Sequence, residues 1–138
     1  MSNVYGPLYK DTNNGFIPFI IKKCHNAIVN DTDIDIEGNP NYTRNFIFVE
    51  DIIKIIESSE NNIGHVTIAN NNYFSLNQVV SKVTQIMSFK NKVNWYGNFD
   101  EVENKTINIE SRNFNDTNFT SLRDGLNKTI KWYLKNEK

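Results

Sequence analysis

Two residue periodicities take turns along this chain, and their alternation narrows the folds open to it. Ile17, Ile20, Ile21, Cys24 and Ala27 recur at helical spacing, which predicts a helix over 15–27 with Pro18 tolerated in its first turn. Asp33-Ile34-Asp35-Ile36 then alternates polar and apolar, the pattern of a short strand, and stops at Gly38-Asn39-Pro40. Phe46-Ile47-Phe48 is a second β-forming run leading into a helix with Val49, Ile52, Ile53 and Ile56 on one face. Further strands are expected at 66–69 and 93–96, with a short extended piece at 107–109. Between them Ser75 and Gln78 form a capping box, ahead of a buried stripe of Leu76, Val79, Val80, Val83 and Met87. Thr120 or Ser121 caps a last helix whose apolar face is Leu122, Leu126, Ile130 and Tyr133. Lys131, Lys135 and Lys138 gather towards its C-terminal end, where the helix dipole favours cations. Short strands alternating with helices specify an α/β layer.

With 138 residues, 38% of them hydrophobic, the chain has one domain's length and enough apolar surface for a core. A net charge of -1 argues against nucleic-acid and membrane-surface partners, which need a basic face. A single cysteine, Cys24, excludes an internal disulfide and a thiolate-built zinc site. No apolar run is long enough to span a bilayer and no signal-peptide core opens the chain, so a cytoplasmic location is the expectation.

The chemistry is bounded in the same way. Binding a dinucleotide pyrophosphate needs clustered glycines at a helix N-terminus, and Gly6, Gly15, Gly38, Gly64, Gly97 and Gly125 are all far apart. A tyrosine acid/base is often served by a lysine four residues on. The residues at that offset here are Tyr9, Asn13, Phe46, Asn77, Asp100 and Glu137. No Gly-x-Ser-x-Gly elbow is present, and His25 and His65 read as surface or capping residues. On the positive side, Arg44 stands at a loop-to-strand junction, from which a guanidinium can grip a phosphate with paired hydrogen bonds.

Several motifs come in a telling order. Ser2-Asn3-Val4-Tyr5-Gly6-Pro7 reads as the end of a buried strand turning into a binding loop, more like the middle of a protein than its start. Phe16-Ile17-Pro18 comes next, then Arg44-x-Phe46-Ile47-x-Val49-x-Asp51, Ser75-Leu76, Arg112-Asn113-Phe114-Asn115-Asp116, and the final Thr120-to-Tyr133 helix. The ordered set resembles the C-terminal, substrate-binding half of the NAD-dependent epimerase/dehydratase family, the extended short-chain dehydrogenases, and within it the dTDP- or UDP-glucose 4,6-dehydratases. The resemblance covers residues 1–138 and implies a partial α/β fold lacking the Rossmann nucleotide-binding half.

Roles for individual residues are implied by the same resemblance. Asn3 would contact the sugar-side phosphate region, Phe16, Ile17 and Pro18 would line the nucleoside pocket, Arg44 would hold the diphosphate, and Arg112 would add a phosphate or ribose contact. Each has a plainer alternative: Asn3 satisfying turn backbone, Phe16 and Ile17 in the core, Arg112 as a surface charge. Glu37 stands where the family usually carries an aromatic before the glycine matched by Gly38. The implied function is nucleotide-sugar binding within a sugar nucleotide 4,6-dehydratase or epimerase, without catalysis by this chain alone. NAD would be the family's cofactor, not one held by this chain by itself. The implied partners are a nucleotide-diphosphate sugar and a separate Rossmann-domain chain or a second copy. The competing reading is a non-catalytic remnant or an interaction module.

Overall fold

The computed structural model describes residues 3–7, 15–58, 68, 72–97, 99 and 118–137. Its elements are β1 (Asn3–Tyr5), α1 (Phe16–Asn30), β2 (Ile34–Glu37), β3 (Thr43–Phe48), α2 (Val49–Ser58), β4 (Tyr73–Ser75), α3 (Leu76–Ile86), β5 (Val93–Tyr96) and α4 (Leu122–Asn136). The α/β alternation read from the sequence is therefore the architecture. The piece expected at 107–109 and Arg112 lie outside the described residues, as does all but residue 68 of the strand expected at 66–69.

Two small sheets form. In one, β3 is central, parallel to β1 (Asn3 opposite Phe46, Tyr5 opposite Phe48) and antiparallel to β4 (Arg44 opposite Phe74). In the other, β2 and β5 run parallel from Ile34 opposite Val93 to Glu37 opposite Tyr96. Strand alternation sends Tyr5, Phe46 and Phe48 to one face, where they meet Ile17, Ile20, Ile21 and Cys24 of α1, Val79, Val80 and Val83 of α3, and Leu122, Leu126 and Ile130 of α4. Ile34 and Ile36 join the same core from β2.

Helix ends follow local chemistry. The Ser75 hydroxyl accepts from Gln78 N at 3.1 Å while the Gln78 side chain accepts from Ser75 N at 2.8 Å, the reciprocal box expected from sequence. Ser121 caps α4 by accepting from Asp124 N at 3.1 Å. Two glycines are dictated by close approach. A Cβ on Gly6, whose φ is +155°, would overlap Cγ1 of Val49, and one on Gly125 would overlap the Tyr5 hydroxyl.

The stripe expected on α2 is corrected by the structure. Asp51 and Ile55 are the buried residues of this helix, whereas Ile53 and Ile56 are 48% and 59% exposed. The reason is polar: the Asp51 carboxylate, only 2% exposed, accepts from Thr120 N at 2.7 Å and from Thr120 Oγ1 at 2.8 Å, and so turns α2 about its axis.

Candidate functional site

At the start of β3 the core-facing side of the sheet runs out past the first turn of α1 and opens into a cavity of about 600 Å³. Asn3 of β1, Phe16 and Phe19 of α1, Ile36 and Glu37 of β2, Tyr42 and Arg44 at the start of β3, and Leu76 of α3 define its walls. Arg44 shares the parity of Phe46 and Phe48 along β3, so the strand that fills the core also aims this arginine at the opening. The positive end of α1 faces the same space through Gly15 and Phe16.

The loop that carries Arg44 is held from below by α3. An α-helix leaves its first N–H groups without intrahelical partners. Here Leu76 N donates to the Tyr42 carbonyl at 2.9 Å, Asn77 N donates to the Pro40 carbonyl at 3.0 Å, and Ser75 takes Gln78 N. Asn39 closes the loop from within, its Oδ1 accepting from Asn41 N at 2.9 Å and its Nδ2 donating to the Phe99 carbonyl at 3.2 Å. The guanidinium of Arg44 lies 5.1 Å from the centre of the Tyr42 ring, a cation–π contact that fixes its direction. Among the described residues, no carboxylate forms an ion pair with Arg44.

Of the residues singled out by sequence, Asn3, Phe16 and Arg44 converge on this cavity. Ile17 does not: it is 1% exposed and sits in the core cluster. Pro18 is half-buried in the first turn of α1 and is not part of the wall. Asn3 also works structurally, its Nδ2 donating to the Asn45 carbonyl at 3.2 Å and so tying β1 to β3. Phe19, Glu37 and Tyr42 had no assigned binding role. Tyr42 could have been found from strand parity, since it lies two residues before Arg44 and hence on its side.

The histidine that is described stays away from the cavity. His25 lies on α1 with Nδ1 3.0 Å from Oε2 of Glu137 and its ring edge-on to Tyr133, at the far end of α4. Burial pushes the Tyr133 phenol well above its ordinary value, with the negative charge of the nearby Glu137 adding to the shift. Burial likewise raises the Tyr5 phenol, with the Asp51 and Asp124 charges contributing, so both hydroxyls are kept neutral.

Residues 1–63 match the model of the NAD dependent epimerase/dehydratase family. That is the family this chain resembles. GDP-L-fucose synthase 1 of Arabidopsis thaliana is 25% identical over 143 residues, an alignment taking in 98% of this chain and 44% of that protein. A GDP-L-fucose synthetase from Naegleria fowleri bound to NADP superposes with a TM-score of 0.79 at 19% identity, over 98% of this chain and 44% of the other. A dTDP-glucose 4,6-dehydratase from Bacillus anthracis in complex with NAD gives 0.69 at 19% identity, over 99% and 43%. The partial extended short-chain dehydrogenase fold expected from the motifs is thus the fold present, and the chain spans about 44% of the length of the curated relatives it matches.

The described residues do not fit a dinucleotide. A pyrophosphate cradle needs a glycine-rich turn between a strand and a helix. Here β3 passes directly from Phe48 into Val49 of α2 with no intervening loop, and Gly6, Gly15, Gly38 and Gly97 lie in separate turns. Among the described residues, the cavity is lined by one guanidinium, three aromatic rings, a carboxylate and two amides.

Proposed function

We propose that this chain is the substrate-holding, C-terminal part of a sugar-nucleotide dehydratase or epimerase, and that its cavity binds the nucleotide-diphosphate end of the substrate. The observation that carries the reading is the convergence of Asn3, Phe16 and Arg44, from three separate elements, on one cavity of about 600 Å³. Arg44 grips the diphosphate with paired, charge-assisted hydrogen bonds. Phe16 and Ile36 supply an apolar wall for the nucleoside, and Asn3 reaches the sugar side. Arg112 adds a contact to phosphate or ribose.

Redox chemistry belongs in this reading to a dinucleotide-binding unit that this segment works beside. An open edge suits such pairing: among the described strands β1 hydrogen-bonds to β3 alone, and Val4 on it is 51% exposed. Names of proteins similar to the chain, a GDP-L-fucose synthase and a dTDP-glucose 4,6-dehydratase, agree on nucleotide-linked sugars as the substrate class.

The test is a thermal-shift titration with GDP-, UDP- and dTDP-sugars. A ligand at ten times its Kd adds ~1.4 kcal/mol, or about 4–7 °C for a chain of this size. Arg44→Ala is expected to remove the shift. A shift of equal size in that variant takes Arg44 out of the site and ends the proposal.

A further inference from the structure

Resting on the nucleotide-sugar reading, the geometry points to Glu37 as a base-reading residue, and to guanine as the base it selects. Four polar side chains line the cavity besides the Tyr42 hydroxyl, and two are already committed. The Asn39 amide is held by Asn41 N and the Phe99 carbonyl, and Asn3 donates to the Asn45 carbonyl. Arg44 and Glu37 remain. Among the described residues no cation forms an ion pair with Glu37, and its side chain is exposed at the last position of β2. Topology separates the two charges. Glu37 ends β2 beside α1, whereas Arg44 starts β3 nearer Asn3, so a diphosphate on Arg44 leaves one end of the ligand towards Glu37.

That end has a ring to rest against. Phe19 lines the cavity and is 45% exposed. Lys23 places it: its Nζ lies 5.5 Å from the centre of the Phe19 ring and donates to the Asp35 carbonyl at 2.6 Å, two residues before Glu37 on the same strand. Glu37 lines the same cavity as Phe19, so a base stacked on that ring has a carboxylate in the site to meet its edge. A carboxylate only accepts, and its two oxygens match two parallel donors. Guanine offers N1–H and N2–H side by side. Uracil and thymine offer one N–H flanked by carbonyl oxygens, which a carboxylate repels. The aromatic expected before Gly38 would stack without reading an edge; Glu37 exchanges that stacking for selection.

Equilibrium binding of GDP, IDP and UDP to the full 138-residue chain tests this. IDP differs from GDP only in lacking the N2 amino group. A bidentate contact gives about tenfold discrimination or more, so GDP is expected to bind at least about tenfold tighter than IDP and UDP. Glu37→Gln should erase that margin, lowering GDP affinity while UDP affinity holds or rises as the carboxylate's repulsion of the uracil carbonyls is removed. Equal binding of all three to the unaltered chain, abolished by Arg44→Ala, overturns the role of Glu37 and leaves the diphosphate site standing. An equal fall for all three in Glu37→Gln overturns it too. Absence of binding by all three overturns both readings.

Discussion

Gly125→Ala is the substitution for which helix propensity and packing disagree most sharply in this chain. At an exposed mid-helix site the change stabilises by ~1 kcal/mol, because alanine gives up less backbone entropy. Here the new methyl would overlap the Tyr5 hydroxyl and lie 2.8 Å from its Cζ and 2.9 Å from Cε2. The ring has nowhere to go. Tyr5 is 2% exposed and packed against Phe46 and Phe48, with ring centroids at 6.3 and 5.5 Å. Overpacking of this kind costs ~1–3 kcal/mol, and three contacts against an immobile ring place it at the upper end. The net expectation is a loss of ~2 kcal/mol, or a Tm lower by about 6–10 °C.

Urea titration followed by far-UV circular dichroism measures the change directly. A double-mutant cycle with Tyr5→Phe isolates the hydroxyl, because that change deletes the closest overlap and leaves the ring carbons in place. Gly125→Ala should then cost about 1 kcal/mol less than it does alone. A Gly125→Ala variant more stable than the unaltered chain would refute the reasoning, since it would mean that α4 and β1 do not meet at this point. The cavity depends on that meeting, because β1 carries Asn3 two residues from Tyr5.

Asp51→Asn is expected to cost ~1–3 kcal/mol, since an amide cannot accept from both Thr120 N and Thr120 Oγ1 through two oxygens, and urea midpoints will show it. Ser75→Ala removes the acceptor for Gln78 N and should cost about 1 kcal/mol; a neutral result would show that the loop carbonyls of Pro40 and Tyr42 hold α3 without it. Cys24 is 0% exposed and burial pushes its thiol up to about 11, so iodoacetamide at pH 8 should label only the urea-unfolded chain. Because the folded pKa lies above the ordinary 9.0, this thiol's contribution to stability is complete below that value and lost as pH rises through about 11. Replacing Cys24 with alanine should therefore flatten the fall in urea midpoint over that window.

How much of the molecule was legible in the sequence depends on the range of each interaction. The capping box of Ser75 and Gln78 and the Ser121 cap span three residues, so local spacing was enough to place them. The face of α2 was not legible, because Ile52, Ile53, Ile55 and Ile56 leave several stripes equally apolar. What chooses among them is Asp51 meeting Thr120, 69 residues away. The approach of Asn3 to Arg44 depends on the parallel register of β1 with β3, which no local pattern encodes; motif order supplied it instead. Phe19 and Glu37 escaped a binding role because alternation tells which residues share a face but not where a face opens into a cavity.

The strength of the site can be argued from its parts. Arg44 is exposed, so hydrogen bonds from it to a phosphate would compete with water and be worth ~1.5–3 kcal/mol. Stacking of one base on Phe16 or Phe19 adds ~1–3 kcal/mol. Taken together they reach the ~4 kcal/mol of a millimolar Kd and do not greatly exceed it. An enzyme that works at micromolar substrate must find another ~4 kcal/mol beyond these two terms, more than a base-edge contact to Glu37 would supply. Under the proposed function the remaining contacts would come from beyond Asn3, on the side of β1 whose edge is open among the described strands. A weak grip here is what the proposed shared site requires: one wall would carry the phosphate and the base, and a unit pairing with β1 would carry the sugar.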